Sequence, residues 1–323
     1  MASYKEIFGT NIEVLASDPA NPVTGQVWYN STDNVVKGFF LTTAGAWATG
    51  GNLNSARYAG AAAGNPGGSL AFGGYTGAAN TANTESYDGT SWTEVADLNT
   101  SRHYLAGAGL NNTAALAFGG KGPPPALAVT ELWNGTSWTE VNDLNTARQG
   151  LTGAGTQTLA LAAGGIAAPG GQTELWNGTN WTEVNDLNTG RGFFAGGGDD
   201  NTSAIVFGGS PIIAATESWN GTSWTEENDL NTGRSNLGGA GASATNALGF
   251  GGNIPPTQAL TEEWNGTAWT EVNDLNSAAK DNMGSGTNTS AINIGGTQDP
   301  PILASTEEWT GAGAPLTVTF TDS

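Results

Sequence analysis

Short apolar runs recur along the chain, each closed by a glycine pair: SLAFGG (69–74), AALAFGG (114–120), LALAAGG (159–165), SAIVFGG (203–209), NALGFGG (246–252) and SAINIGG (290–296). Runs this short, partly β-branched and bounded by glycine, predict strands rather than helices. After each pair and a loop, polar and aromatic positions alternate, most clearly in TELWNGTSWTEV at 130–141. Its central Asn-Gly predicts a tight hairpin, because a two-residue type I′ turn needs positive φ at both central positions. With Asn134-Gly135 as that turn, Trp133 faces Thr136 and Glu131 faces Trp138. Trp133, Trp138 and Glu140 then share one face, and Leu132, Thr139 and Val141 the other. The tail DLNT offers Asp and Asn side chains that bond neighbouring backbone, which predicts a turn into the next strand.

The pattern is a repeat. The tryptophans that open W-T-E-V-N-D-L-N are Trp47, Trp92, Trp138, Trp181, Trp224 and Trp269, spaced 45, 46, 43, 43 and 45 residues apart. Ten residues after the first five stand Arg57, Arg102, Arg148, Arg191 and Arg234; the sixth copy has Ala279 there and Lys280 next. A Gly/Ala-rich segment follows, then the apolar run and glycine pair, then Glu-x-aromatic at Glu85/Tyr87, Glu131/Trp133, Glu174/Trp176, Glu217/Trp219, Glu262/Trp264 and Glu307/Trp309. Each of the six units holds four strand-sized pieces. Short antiparallel strands at a period of about 40 to 50 residues point to propeller blades.

A glycine pair after an apolar strand, then Glu-x-Tyr/Trp, then Trp, then Arg at the head of the next unit resembles the kelch repeat over about residues 55 to 310. The expected fold is all-β: a six-bladed β-propeller of four-stranded antiparallel blades spanning 45–323, preceded by a small N-terminal hairpin segment at 1–44. The sixth unit lacks a following W-T-E-V-N-D-L, while Trp47 opens an orphan outer strand. Joining the two predicts closure by the N-terminal strand near Trp47, which leaves no long open edge. The final PLTVTF either adds a strand or replaces part of that seal.

Charge and composition narrow the chemistry. There are 29 Asp+Glu against 9 Lys+Arg, one His and no Cys, for a formal charge of -20. Such acidity repels nucleic acid and anionic membrane, and the absence of cysteine excludes disulfides and thiol chemistry. The N-terminus lacks a secretory apolar core, and no stretch nears the ~20 apolar residues needed to span a bilayer. The expectation is synthesis in a bacterial cytoplasm.

The repeated tryptophans read either as a sugar-stacking platform or, the favoured reading, as filling between sheets. The five arginines read either as a cationic ring for an anionic glycan or, again favoured, as buried partners of the equally recurrent glutamates. The inner segments, such as AGAAAG, LAGAG and AGGGD, bring almost no nucleophile, acid or base to a propeller axis. Kelch enzymes such as galactose oxidase use two histidines and a tyrosine joined to cysteine at copper; His103 is the single histidine here, so that activity is excluded. SYDGTSW (86–92) approaches a sialidase Ser-x-Asp-x-Gly-x-x-Trp box, but its Asp and Gly are adjacent, and four other copies carry Asn134, Asn177, Asn220 and Asn265 in place of Asp88. A lone His103 reads as packed or solvated, the Asn-Gly-Thr sequons as turns, and Asp199, Asp200 and Asp299 as loop carboxylates without EF-hand spacing. No catalytic residue, metal site or cofactor is assigned.

The units differ most between the glycine pair and Glu-x-aromatic, where proline stands beside aliphatics. The leading contacts for a protein or glycan of a host surface are Pro124, Leu127, Ile166, Ile212, Ile213, Ile254, Pro255, Ile302 and Leu303; the competing reading folds these side chains back over the blade ends. Near the N-terminus, GQVWYNSTDNVVKGF resembles opening segments of bacteriophage structural and tail-fibre proteins. That resemblance implies a noncatalytic virion component whose N-terminal segment meets other virion proteins and whose propeller recognises the host or decorates the particle. Homo-oligomer formation is left open. The rival expectation is a bacterial lectin or glycan-processing propeller enzyme.

Overall fold

The computed structural model describes residues 12–41, 44–123, 125–166, 170–312 and 315–320. Among them all regular structure is strand, in seven four-stranded sheets. The chain divides into two units, 46–310 and a smaller one made of 1–45 with 311–323.

The larger unit carries the repeat as blades of β-propeller type. A representative blade runs from an inner strand Ala106–Asn111 through Ala114–Phe118 and Thr130–Trp133 to an outer strand Trp138–Val141, all antiparallel. Inner strands neighbour one another in chain order, from Ala61–Asn65 to Met283–Gly286, and that last one lies against the first. In the blade of Met283–Gly286, Ser290–Ile294 and Thr306–Thr310, the outer strand is Ala46–Thr49, with Trp309 opposite Trp47. Their rings lie 5.4 Å apart.

The hairpin differs from the sequence expectation. Trp133 pairs with Trp138 and Glu131 with Glu140, so the loop has four residues, Asn134 to Ser137. Gly135 alone is left-handed in it (φ 91°), and Asn134 Oδ1 accepts the amides of Thr136 and Ser137, both at 2.9 Å. The side chain therefore shapes the turn in place of a type I′ backbone. The register moves by two residues, an even number, so the face assignment survives.

The core sits between blades. Leu70 and Phe72 of one sheet pack on Ala115, Ala117, Trp133 and Trp138 of the next. The Phe72 and Trp138 rings meet at 5.0 Å, and Phe118 with Trp181 and Phe207 with Trp269 repeat the contact. Each outer-strand indole N–H reaches a threonine hydroxyl of the preceding blade: Trp138 to Thr84, Trp181 to Thr130, Trp224 to Thr173, Trp269 to Thr216, Trp47 to Thr261 and Trp92 to Thr306, all at 3.0–3.1 Å. A buried tryptophan needs such a partner.

The smaller unit corrects the expected boundary. Val27–Asn30 and Val35–Leu41 form the predicted hairpin, but Glu13–Leu15 joins in parallel and Pro315–Phe320 joins antiparallel along Val35–Leu41. Residues 311–323, expected within 45–323, thus belong with the N-terminal segment. The outer place beside Thr306–Thr310 is already taken by Ala46–Thr49, leaving the terminal strand to pair elsewhere. Trp28 is fully buried there and donates to Asp18, which also accepts from Asn30 and Lys37. Those bonds, Lys37 first, hold Asp18 down to about 2. A depressed carboxylate stabilises above its unfolded value of about 3.9 and loses that contribution as pH falls through the folded value. The Trp28 indole N–H resonance is expected to stay protected at pH 5 and to lose protection from about pH 4 downward. Asp18→Asn should abolish that pH dependence.

Candidate functional site

The site begins with a backbone device. In every blade the residue after the arginine position forms a β-bridge with the residue after the glycine pair: Tyr58 with Tyr75, His103 with Lys121, Gln149 with Ile166, Gly192 with Ser210, Ser235 with Asn253, and Lys280 with Thr297. The glycine pair makes this possible. At Gly119 (φ 66°) a Cβ would come within 2.9 Å of the Arg148 carbonyl, and Gly120 (φ 109°) donates to that same carbonyl at 2.9 Å. Backbone holds each bridge, so the side chains on it are free to vary.

In the first two blades those positions carry Tyr58, Tyr75, His103 and Lys121, which with Asn80, Ser101, Tyr104, Gly122 and Pro123 line a groove of about 730 Å³. Small-molecule sites commonly fall between about 300 and 1,000 Å³. The rings run in succession: Tyr58 to Tyr75 at 5.6 Å, Tyr75 to His103 at 5.3 Å, His103 to Tyr104 at 4.8 Å and Tyr104 to Phe193 at 4.8 Å. Asn80 braces the wall by donating to the Lys121 carbonyl at 3.0 Å.

The electrostatics of the groove follow from where the other cations go. Arg57, Arg102, Arg148, Arg191 and Arg234 are buried against Glu85, Glu131, Glu174, Glu217 and Glu262. Lys37 pairs with Asp18 and Asp33, and Lys280 with Asp299. Among the described residues Lys121 alone of the cations has no carboxylate partner. Burial, and then the nearby Lys121 charge, push His103 below its ordinary value, so its ring is neutral at pH 7.

Beside the groove lies the axial mouth. Ala59, Tyr104, Gly150, Phe193, Asn236 and Asp281, two residues past each arginine position, are all left-handed (φ 51–63°). Each donates its N–H to the carbonyl of its counterpart one blade earlier at 2.6–2.9 Å, and Ala59 donates to Asp281. Left-handed Tyr, Phe and Asp each cost on the order of 1–3 kcal/mol, which this succession of bonds sustains. Asn236 Nδ2 donates to Asp281 at 2.5 Å. Burial raises Asp281 above the usual carboxylate range, and burial with the Asp281 charge raises Tyr104.

The sequence-predicted loop contacts divide. Ile166 and Ile212 are 46% and 47% exposed, and Pro255 is also exposed. Leu127, Ile213, Ile254, Ile302 and Leu303 are half-buried. The carbonyls of Leu127, Ile213 and Leu303 accept the amides of Arg148, Arg234 and Arg57, which ties these loops to the next blade. Pro124 lies outside the described residues. Sequence reasoning missed Tyr58, Tyr75, Asn80, Tyr104, Lys121, Asn236 and Asp281, and set His103 aside. The available signal was positional: departures from the repeat at one residue after Arg and one after Gly-Gly.

No family model matches the chain, and no curated protein matches it. Among solved structures it is similar to that of YjhT, with a TM-score of 0.68 and 11% sequence identity, over 83% of this chain and 99% of that one. At such identity the likeness speaks for fold alone, and together with the repeated four-stranded sheets it makes the larger unit a β-propeller-type fold.

Proposed function

We propose that this chain is a noncatalytic bacteriophage virion protein that displays a six-bladed, kelch-like propeller for recognition of a host surface or for particle decoration. Closure at six blades is supported by three independent cycles: inner-strand neighbours, indole-to-threonine bonds and the axial backbone bonds each return to their starting blade. The observation that carries recognition is the groove, because an aromatic run with an unpaired amine sits where blade backbone does the structural work and side chains differ. The phage assignment rests on GQVWYNSTDNVVKGF, whose hairpin and Trp28–Asp18 cluster make a separate small unit suited to contact other virion proteins.

Mass spectrometry of purified particles, with labelled antibody imaged on intact virions, tests the assignment. Its absence from particles that adsorb normally overturns it. The exposed loop tips give a finer prediction. Replacing both Ile166 and Ile212 by Asp is expected to shift stability by less than about 1 kcal/mol while weakening host adsorption. Unchanged adsorption removes these tips from the interface.

A second reading, a lectin or glycan-processing enzyme of bacterial origin, is favoured by one feature: Asp281, raised in pKa at the axial mouth and bonded to Asn236. Hydrolysis of host polysaccharide by the isolated chain, lost in Asp281→Asn, would establish that reading in place of the first.

A further inference from the structure

We infer that the groove between the first two blades takes a saccharide bearing a carboxylate, with the acid group at Lys121 and the sugar faces on Tyr75, Tyr58 and Tyr104. The inference rests on the recognition reading above and names the ligand class for that site.

Ring geometry selects the saccharide. Successive rings are tilted by 66°, 49°, 47° and 65°, so no two form a parallel slot for a flat aromatic ligand. Tilted faces instead make a stepped apolar surface of the kind that meets the C–H faces of puckered rings, while Asn80, Ser101 and the tyrosine hydroxyls border it with hydrogen-bonding groups.

Charge selects the carboxylate. A cationic ligand would meet Lys121, and neutral His103 offers it no compensation. A nucleic acid, with its dense phosphates, is opposed by the formal charge of -20, whereas screening beyond about 8 Å leaves one local carboxylate to respond mainly to Lys121. The charges are also polarised along the groove. Asp281 and Asp299 act on the Tyr58 end, and Lys121 stands at the other. A ligand with hydroxyls at one end and an acid at the other fits that gradient, and it fits in one direction only.

The test uses the full chain on an array of uronic-acid and other carboxylate-bearing oligosaccharides, each printed beside its carboxyl-reduced form. Lys121→Met and Tyr75→Ala accompany the wild type, with melting midpoints recorded to confirm folding. The expected result is retention of one or more acidic glycans and a loss of about tenfold or more for their reduced forms. Lys121→Met should lose affinity for the acid alone, and Tyr75→Ala for both forms. Lys121→Arg, which keeps the charge, should restore most of the binding. Equal retention of acid and reduced forms, indifference to Lys121→Met, or no binding across the array overturns the inference. Host-cell adsorption separates the two levels. Adsorption that both substitutions leave intact spares the recognition reading and removes this groove, whereas wild-type chain that retains acidic glycans but adsorbs to no host cell spares the groove and removes the display role.

Discussion

Glu131→Ala is expected to lower the free energy of unfolding by about 3 to 5 kcal/mol, because it strands a buried guanidinium. Glu131 is fully buried and saturated: one oxygen accepts the Asn99 amide at 2.7 Å and the Asn99 side chain at 2.8 Å, and the other accepts Arg102 at 2.7 Å and the Thr100 amide at 3.3 Å. Removing it orphans three further donors as well. Arg102→Met should cost markedly less. The blade of Glu307 already lacks the arginine, since Glu307 keeps the equivalent bonds from Asn276 and Ser277 while Ala279 stands in the arginine's place. The carboxylate is thus held chiefly by backbone and amide donors, and the arginine depends on the carboxylate more than the reverse. Guanidinium denaturation of both single variants and the double variant measures the asymmetry; equal single-variant losses would refute it.

Trp47→Ala should cost about 3 to 5 kcal/mol, as much as Trp138→Ala in a blade of contiguous sequence. Trp47 is 7% exposed, meets Phe250 at 5.0 Å and Trp309 at 5.4 Å, and donates to Thr261, 214 residues away in the chain. A strand that merely rested on the blade would lose far less. Urea midpoints for the two alanine variants decide between these outcomes, and a near-neutral Trp47→Ala would undo the proposed closure.

Much of this was legible in the sequence because repetition averages out local ambiguity. The glycine pairs, the tryptophans and the matched arginines and glutamates each recur often enough that one consistent assignment of strands and faces remains. The hairpin register was not legible: Asn-Gly advertises a two-residue turn, and only the strand pairing and the amides that Asn134 accepts reveal a four-residue one. Nor was the pairing of Pro315–Phe320 with Val35–Leu41, because its alternating pattern suits any open sheet edge. The candidate site was hardest, since Tyr58, Tyr75, His103 and Lys121 come from four separate stretches that meet only when adjacent blades pack. The axial Asp281 was hidden for a related reason, as it enters from a connecting loop and the inner strands themselves, such as MGSG at Met283–Gly286, are built mostly of small residues and carry no charged side chain.

The paired positions after Arg and after Gly-Gly are bridged through the main chain in all six copies, although the residues on them differ from copy to copy. Mutation there is consequently cheap in folding terms, so one descendant can exchange Tyr/Tyr or His/Lys for another combination without rebuilding its scaffold. A lineage pressed to follow changing targets would accumulate its diversity at those addresses first, leaving the tryptophan and glutamate lattice beneath them unaltered.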